Sequence, residues 1–583
     1  MGQMARGYHL IRKLMDILLG SVLLAIILSS NACTSRKLWI TSIPAPVDTL
    51  NVPAPKPIKI HTYSEYFDKQ LTLQVEEALD FSRQFQNLTD RRPEAKNVDS
   101  FEQVANSSWF TNRNGKYHMS LSQIRRGPNK GQGPDTAHTW TITRAKVEGV
   151  TPGFSIRDFR GDHYVIKFDP AGFPELASGA EVVSTKLFYA MGYNTPENYV
   201  VYFHPENLKL GDKVSFTDKK GRKRLMNEQD LLDLLEKVEK LPDGRIRALA
   251  SKYLSGKPIG PFKYKGVRKD DLNDFIPHED RRELRGLRII AAWLNHFDTK
   301  DGNSLDMYVT ENGQSFVRHY LIDFGATLGS ASKGPNFLWR GYQYDVDPGV
   351  ILANIFTLGL YVRPWEKQPG VIYPSIGIFE SKIFDPLQYK PQVPNPAFQS
   401  MTMSDGFWAA QIVMSFSDEQ LKAAVEEGQY SNPLAQLYLL QTLRERRDKI
   451  GRTFFNRMSP LDHFELITDA RGDLWIYFDD IALSTGLEQR EMRYAYDVFQ
   501  SSDVNRLIKK GEILGERRIN LSDVPAAISS SGFEGEQNRR NTDIGIRIRK
   551  WSDEQQGWIK PVWVFMAYWG DNTFKLVGIR REN

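Results

Sequence analysis

Apolar residues recur at helical spacing from Arg282 to Leu294, with Leu284, Leu287, Ala291 and Leu294 on one side, which predicts an amphipathic helix. The pattern then changes to two strand-like runs, Leu305 to Val309 and Phe316 to Ile322, around Glu311-Asn312-Gly313, a strong hairpin turn. Upstream, Trp140 to Val147 and Tyr164 to Phe168 read as strands flanking a turn region with Gly149 and Gly153. A helix with apolar Val183, Leu187 and Met191 comes next, stopping at Gly192 with Pro196 beyond, and Tyr199 to Phe203 reads as another strand. Leu71 to Phe85 has helical spacing, and the Gly/Pro-rich run from Arg126 to Pro134 separates this N-terminal part from the next unit. Residues from about Pro335 to Met458 read as helical or irregular. Within them Ser417 with Gln420 forms a capping box for a helix to Glu427, and Asn432-Pro433 opens a longer one to about Ile450. From Leu461 the character changes: Ile544, Ile546 and Ile548 alternate with Arg547 and Arg549, and Val562 to Trp569 and Phe574 to Ile579 add two strands. No repeat of fixed period is present.

These patterns divide the chain of 583 residues into an export signal (1–33), a proline-rich tether (34–60), an N-terminal extension (61–135), a central catalytic unit (136–460) and a small β-rich, sandwich-like C-terminal domain (461–583). An apolar content of 41% with 25% charged residues belongs to a globular protein. The net charge of +5 is small for this length, and the basic run Lys219 to Arg224 reads as a solvated turn, so no nucleic-acid partner is expected. Arg6, Arg12 and Lys13 precede the apolar run Ile17 to Leu28, too short to span a bilayer and of the size of a signal-peptide core. Ser30-Asn31-Ala32-Cys33 resembles a bacterial lipoprotein processing site, without the usual leucine three places before the cysteine. Ordinary cleavage, and an uncleaved anchor, stay open. The chain is therefore expected to be exported to a cell envelope, anchored to a membrane by a lipid or an N-terminal helix. Cys33 is the sole cysteine, which excludes an internal disulfide framework, a cysteine-built metal site and a cysteine hydrolase. No H-E-x-x-H occurs, which disfavours a zincin.

The chemistry concentrates in His296-Phe297-Asp298-Thr299-Lys300-Asp301-Gly302-Asn303 and, after the hairpin, Asp323-Phe324-Gly325. Phosphoryl transfer needs one carboxylate to orient the attacking hydroxyl, and an amide oxygen and a second carboxylate to hold divalent metal. Asp298 is the candidate base, Lys300 the group that neutralises the transferred phosphoryl, and Asn303 and Asp323 the metal ligands. Lys167, in Val165-Ile166-Lys167-Phe168, is the candidate to grip the nucleotide phosphates, steadied by Glu181. Each has a plainer reading: a strand lysine reaching to water, and a capping box between Ser178 and Glu181. Gly149 and Gly153 either fold over the phosphates or serve as turn residues. His296 is expected to be structural.

The spacing from His296 to Asp298 to Asn303, with the hairpin into Asp-Phe-Gly, resembles the protein-kinase-like superfamily, more particularly atypical branches such as HipA-like and secretory-pathway kinases. The resemblance covers about Thr139 to Met458. It implies an α+β, two-lobed kinase-like fold with ATP and Mg2+ (or Mn2+) in the cleft, and Leu254-Ser255-Gly256-Lys257-Pro258 is similar to the lobe-connecting hinge of HipA-like proteins. Phe297 replaces the usual arginine and no Ala-Pro-Glu is present after the Asp-Phe-Gly, so control by activation-loop phosphorylation is not implied. The expected activity is ATP- and Mg-dependent phosphate transfer to an acceptor that the sequence does not name: protein, sugar, lipid or small molecule. The alternatives are nucleotidyl transfer, and a silent pseudokinase-like scaffold whose C-terminal domain binds glycan or protein. Of the twelve tryptophans, four lie between Trp551 and Trp569, where core packing is the plainer use.

Overall fold

The computed structural model describes residues 47–60, 62–80, 92–145, 153–217, 223–500, 506–529, 544–568 and 574–582. The expected export signal and Gly149 lie outside them, as does the basic run apart from Lys223 and Arg224.

The chain is a mixed α+β structure with several sheets. In chain order it enters through α1 (Thr62–Phe67), a π-turn (Asp68–Thr72) and α2 (Leu73–Leu79). The first sheet contains β1 (Trp140–Ala145), β2 (Gly153–Arg157), β3 (His163–Lys167), β4 (Asn198–Phe203), β5 (Leu208–Leu210) and β6 (Ile246–Lys252), in the order β4-β6-β3-β2-β1-β5. Only the β1–β5 pairing is parallel. Helix α3 (Leu176–Met191) connects β3 to β4. Trp140, Ile142, Phe154, Ile156, Ile166 and Ala248 close the sheet's own core.

Residues 253–256 join β6 to β7 (Lys257–Gly260), so the hinge-like segment links the first sheet to a second one. After α4 (Arg282–Leu294), the strands β8 (Ser304–Glu311) and β9 (Gln314–Leu321) complete that sheet in the order β9-β8-β7. Glu311 pairs with Gln314 across a two-residue loop in which Asn312 and Gly313 both have positive φ, the backbone that matches strand twist and that Asn-Gly adopts readily. The described part of the proline-rich stretch does not hang free. Val52 donates to Ser315 O and Ile58 to Ile259 O, so residues 47–60 lie along this sheet.

The spacing in α4 predicts one buried face. The helix buries nearly all of them, including Arg282, Glu283 and Arg285, because other elements surround it. Downstream come α5 (Pro348–Phe356), α6 (Met403–Met414), α7 (Asp418–Glu426) and α8 (Pro433–Phe455), of which α6 and α8 pack directly on it. Gly286 lets α4 approach α6, since a Cβ there would lie 2.9 Å from the Trp408 ring. The caps of α7 and α8 are those expected, Ser417 with Gln420 and Asn432 with Pro433. The extension shares this core through Trp109, Phe110 and Ile124.

Beyond α8 lie two more sheets, built from β10 (Leu461–Thr468), β11 (Leu474–Asp480), β12 (Arg493–Gln500), β13 (Leu507–Leu514), β14 (Arg518–Asn520), β15 (Ile544–Ser552), β16 (Val562–Tyr568) and β17 (Phe574–Arg581). Their orders are β10-β11-β14 and β13-β12-β15-β16-β17. Ile476 and Phe478 of one sheet share a hydrophobic cluster with Ile544, Ile546, Ile548 and Val564 of the other.

Candidate functional site

The approach to the site is governed by how α4 ends. Asn295 takes a left-handed conformation, which Asn tolerates, and Arg446 donates to the carbonyls of Ala292 and Trp293, countering the negative end of the helix dipole. The chain is thereby turned into His296. That imidazole is buried; burial pushes its pKa below the ordinary value, with the Asp298 carboxylate opposing, and Nδ1 lies 3.4 Å from Ala326 O. It links the loop at 296–303 to the segment after Asp323.

Asp298 and Lys300 form an ion pair, Nζ to Oδ1 3.0 Å. Burial would lower the Lys300 ammonium, but Asp298, and then Asp323 and Glu65, hold it above the ordinary lysine value. Asn303 donates Nδ2 to the Asp298 carbonyl at 2.8 Å, and Ile322 N donates to Asn303 O at 3.0 Å. The first closes the loop on itself and the second binds it to the end of the hairpin. Asp323 comes next, with φ of 64°, a left-handed backbone that aspartate accepts better than most residues. Phe324 is fully buried and stacks on Phe188 of α3 with centroids 4.7 Å apart, so the turn is pinned from beneath. Such a pair contributes about 0.5–1.5 kcal/mol beyond area burial.

Lys167, the last residue of β3, reaches three carboxylate oxygens. Its Nζ lies 3.0 Å from both Glu181 oxygens and 3.0 Å from Asp323 Oδ1. Burial alone would depress this ammonium; Asp323 and Glu181 outweigh it and raise its pKa. The Glu181 side chain is 3% exposed and Asp323 50%, so the cation bridges a buried anchor and a carboxylate open to ligand. Gly325 permits the gathering: a Cβ there would lie 3.3 Å from Glu181 Oε2.

The capping-box reading of Glu181 is corrected. α3 opens at Leu176, with Glu175 as its N-cap in a left-handed conformation, so Ser178 is inside the helix and Glu181 is in the second turn rather than the first. Ser178 Oγ instead donates to Asp169 Oδ2 at 2.7 Å. Gly153 is the first residue of β2, paired with Lys167, a strand position next to the site.

Two polar residues escaped the sequence reading. Lys69, in the π-turn, contacts Asp301 at 2.6 Å, and Glu65 of α1 accepts from Gly302 N at 3.3 Å. Thus the N-terminal extension grips the loop from behind. Lys69 and Glu65 are one helical turn apart, a spacing ordinarily seen on solvated helices, so the only signal available pointed outward. Burial raises the Glu65 carboxyl above its ordinary 4.5, with Lys69 opposing and Asp301 adding to the rise. The proton on Glu65 therefore favours folding fully below about pH 4.5, and that contribution is lost as pH rises through the raised value. Glu65→Gln is expected to flatten the decline in thermal stability over this window; an unchanged slope would mean that Lys69 keeps Glu65 ionised throughout.

Among the described residues no group of three or more His, Cys, Asp or Glu gathers to hold a metal alone. Asp323 and Asn303 supply hard oxygen donors of the kind Mg2+ takes together with water and phosphate. The Asn303 amide spends its nitrogen on the Asp298 carbonyl, which leaves the oxygen as its ligating end.

No family model matches the chain, and no curated protein does. Among solved structures, the Helicobacter pylori proinflammatory kinase CtkA is 11% identical, over 55% of this chain and 96% of its own, at a TM-score of 0.29. The Golgi casein kinase is 11% identical over 71% of this chain and 94% of its own, also at 0.29. The same kinase with Mn/ADP bound is 12% identical over 71% and 95%, at 0.26.

Proposed function

We propose that this protein is an ATP- and divalent-metal-dependent phosphotransferase with a two-lobed kinase-like arrangement, acting in a cell envelope or secretory compartment on an acceptor of still unnamed class. The observation that carries the reading is the Lys167 ammonium joined at once to Glu181 and Asp323, groups 14 and 156 residues away in sequence. A purely structural ion pair has no use for a half-exposed second carboxylate on a strained backbone followed by glycine.

In this reading Lys167 binds nucleotide phosphates and Glu181 fixes where its ammonium sits. Asp298 accepts a hydrogen bond from the acceptor hydroxyl and orients it for attack. Lys300, held charged by Asp298, balances the negative charge on the group in transit. Asn303 and Asp323 would hold the metal, which when bound supplies charge neutralisation at the phosphates. The complete polar set speaks against a silent scaffold.

Millimolar ATP with Mg2+ is expected to raise the thermal midpoint of the chain, by an amount equivalent to about 2.7 kcal/mol at a hundredfold excess over Kd. Lys167→Met should lose that stabilisation. No shift with either protein would count against nucleotide binding here, and a mass increase of a nucleotide rather than a phosphate on an acceptor would replace phosphoryl with nucleotidyl transfer.

A further inference from the structure

Residues 348–362, between Asp347 and Arg363, contain no charged side chain. They begin with α5, which buries none of its residues. Ile351, Leu352 and Ile355 are exposed, and beyond them Phe356 is 81%, Leu358 91% and Leu360 82% exposed. Val350, Ala353 and Asn354 of the helix are half-buried, but its other side and the tip beyond it are apolar and exposed, where a surface helix would turn polar residues to water. A second copy or a flat protein partner would cover one side of such a projection and leave the others in water.

The backbone of the tip is also prepared for an apolar medium. The N–H groups of Thr357, Leu358, Gly359 and Leu360 donate to the carbonyls of Ala353, Ile355, Asn354 and Thr357, and Thr357 Oγ1 donates to Ala353 O. These four N–H groups are satisfied within the segment itself, which lowers the cost of taking the tip into hydrocarbon.

At its root stands an aromatic and cationic collar. Phe337 stacks on Trp339 at 4.5 Å, Trp339 meets Trp365 at 6.1 Å, and the Arg363 guanidinium lies 5.3 Å from the Trp365 ring centre. Tryptophan with arginine suits the boundary between acyl chains and water. The root's charges are paired, Arg340 with Asp345 and Lys390 with Asp347, so attachment does not call for anionic lipid. The helix of nine residues is about 13 Å long, far short of the roughly 30 Å of a bilayer core and sufficient to enter one leaflet.

We propose that residues 348–362 form a finger that inserts into one leaflet of a lipid bilayer, a contact separate from any N-terminal anchor and independent of phosphate transfer. The test is a full-length chain carrying Cys33→Ser and Leu358→Cys, labelled at the new thiol with a polarity-sensitive fluorophore and mixed with phosphatidylcholine vesicles. The expected result is a blue shift together with quenching by bromine-substituted acyl chains. The same label placed through Arg471→Cys, in the turn between β10 and β11, should show neither. A water-like spectrum at position 358 on vesicle-bound protein, or no vesicle binding at all, overturns the proposal. So does a blue shift without lipid that grows with protein concentration alongside a dimer in sedimentation, which would assign the finger to a second copy.

Discussion

Phosphate transfer is expected to fall by about a thousandfold or more when Asp323 is replaced by Asn, with the fold left in place. The choice of Asn matters. Position 323 has φ of 64°, and Asn tolerates that conformation as Asp does, so the variant removes charge without adding the backbone strain an alanine would bring. Losing this one carboxylate acts in two ways. On the proposed reading a bound metal would lose its anionic ligand, and the Lys167 ammonium keeps only Glu181, so its raised pKa should drop. A radiolabelled transfer or autophosphorylation assay, with circular dichroism as the check on folding, reads the outcome. Retained transfer in a folded Asp323→Asn protein would remove the proposed site from consideration.

The largest stability effect is expected at Asp405, which is fully buried in the first turn of α6. Its oxygens lie 3.0 Å from Arg282 Nε and 3.4 Å from Arg285 Nη1, both in the first turn of α4, while it also accepts from the Thr402 backbone N–H at 2.9 Å. Asp405→Ala leaves two buried guanidinium groups short of their shared counter-charge and opens the cap of α6. Breaking a buried pair in this way costs about 3–5 kcal/mol. The lower end is expected, because Arg285 keeps Asp280 at 2.7 Å and Arg282 keeps the Glu102 carbonyl at 2.9 Å. Urea unfolding measures it; a loss below about 1 kcal/mol would show that those remaining partners suffice. Since α4 leads directly into the 296–303 loop, lowered transfer activity should accompany the lost stability.

The legibility of this protein is uneven, and the division tracks the range of the interactions. The Asn312-Gly313 hairpin, the Ser417 and Asn432 caps and the helix feeding His296 are readable because each depends on sterics and hydrogen bonds among residues a few positions apart. The β-rich tail is readable for the same reason, as alternation reports which side of a strand is buried. The start of α3 is misplaced by its sequence, since Ser178 and Glu181 have a cap's spacing and only Asp169 and Lys167, reached through the fold, draw them into other bonds.

What the sequence determined by itself was an ordered list of chemical groups and the local elements that carry them. Which of those groups meet was decided by tertiary structure. β3, α3 and the end of the hairpin bring Lys167, Glu181 and Asp323 within 3.0 Å because burying Phe324 against Phe188 and Ile166 within the sheet leaves those polar ends facing one another. The grip of Lys69 on Asp301 and the exposed finger at 348–362 arise the same way. Burial is a property of the whole packed chain, and no window of neighbouring residues contains it.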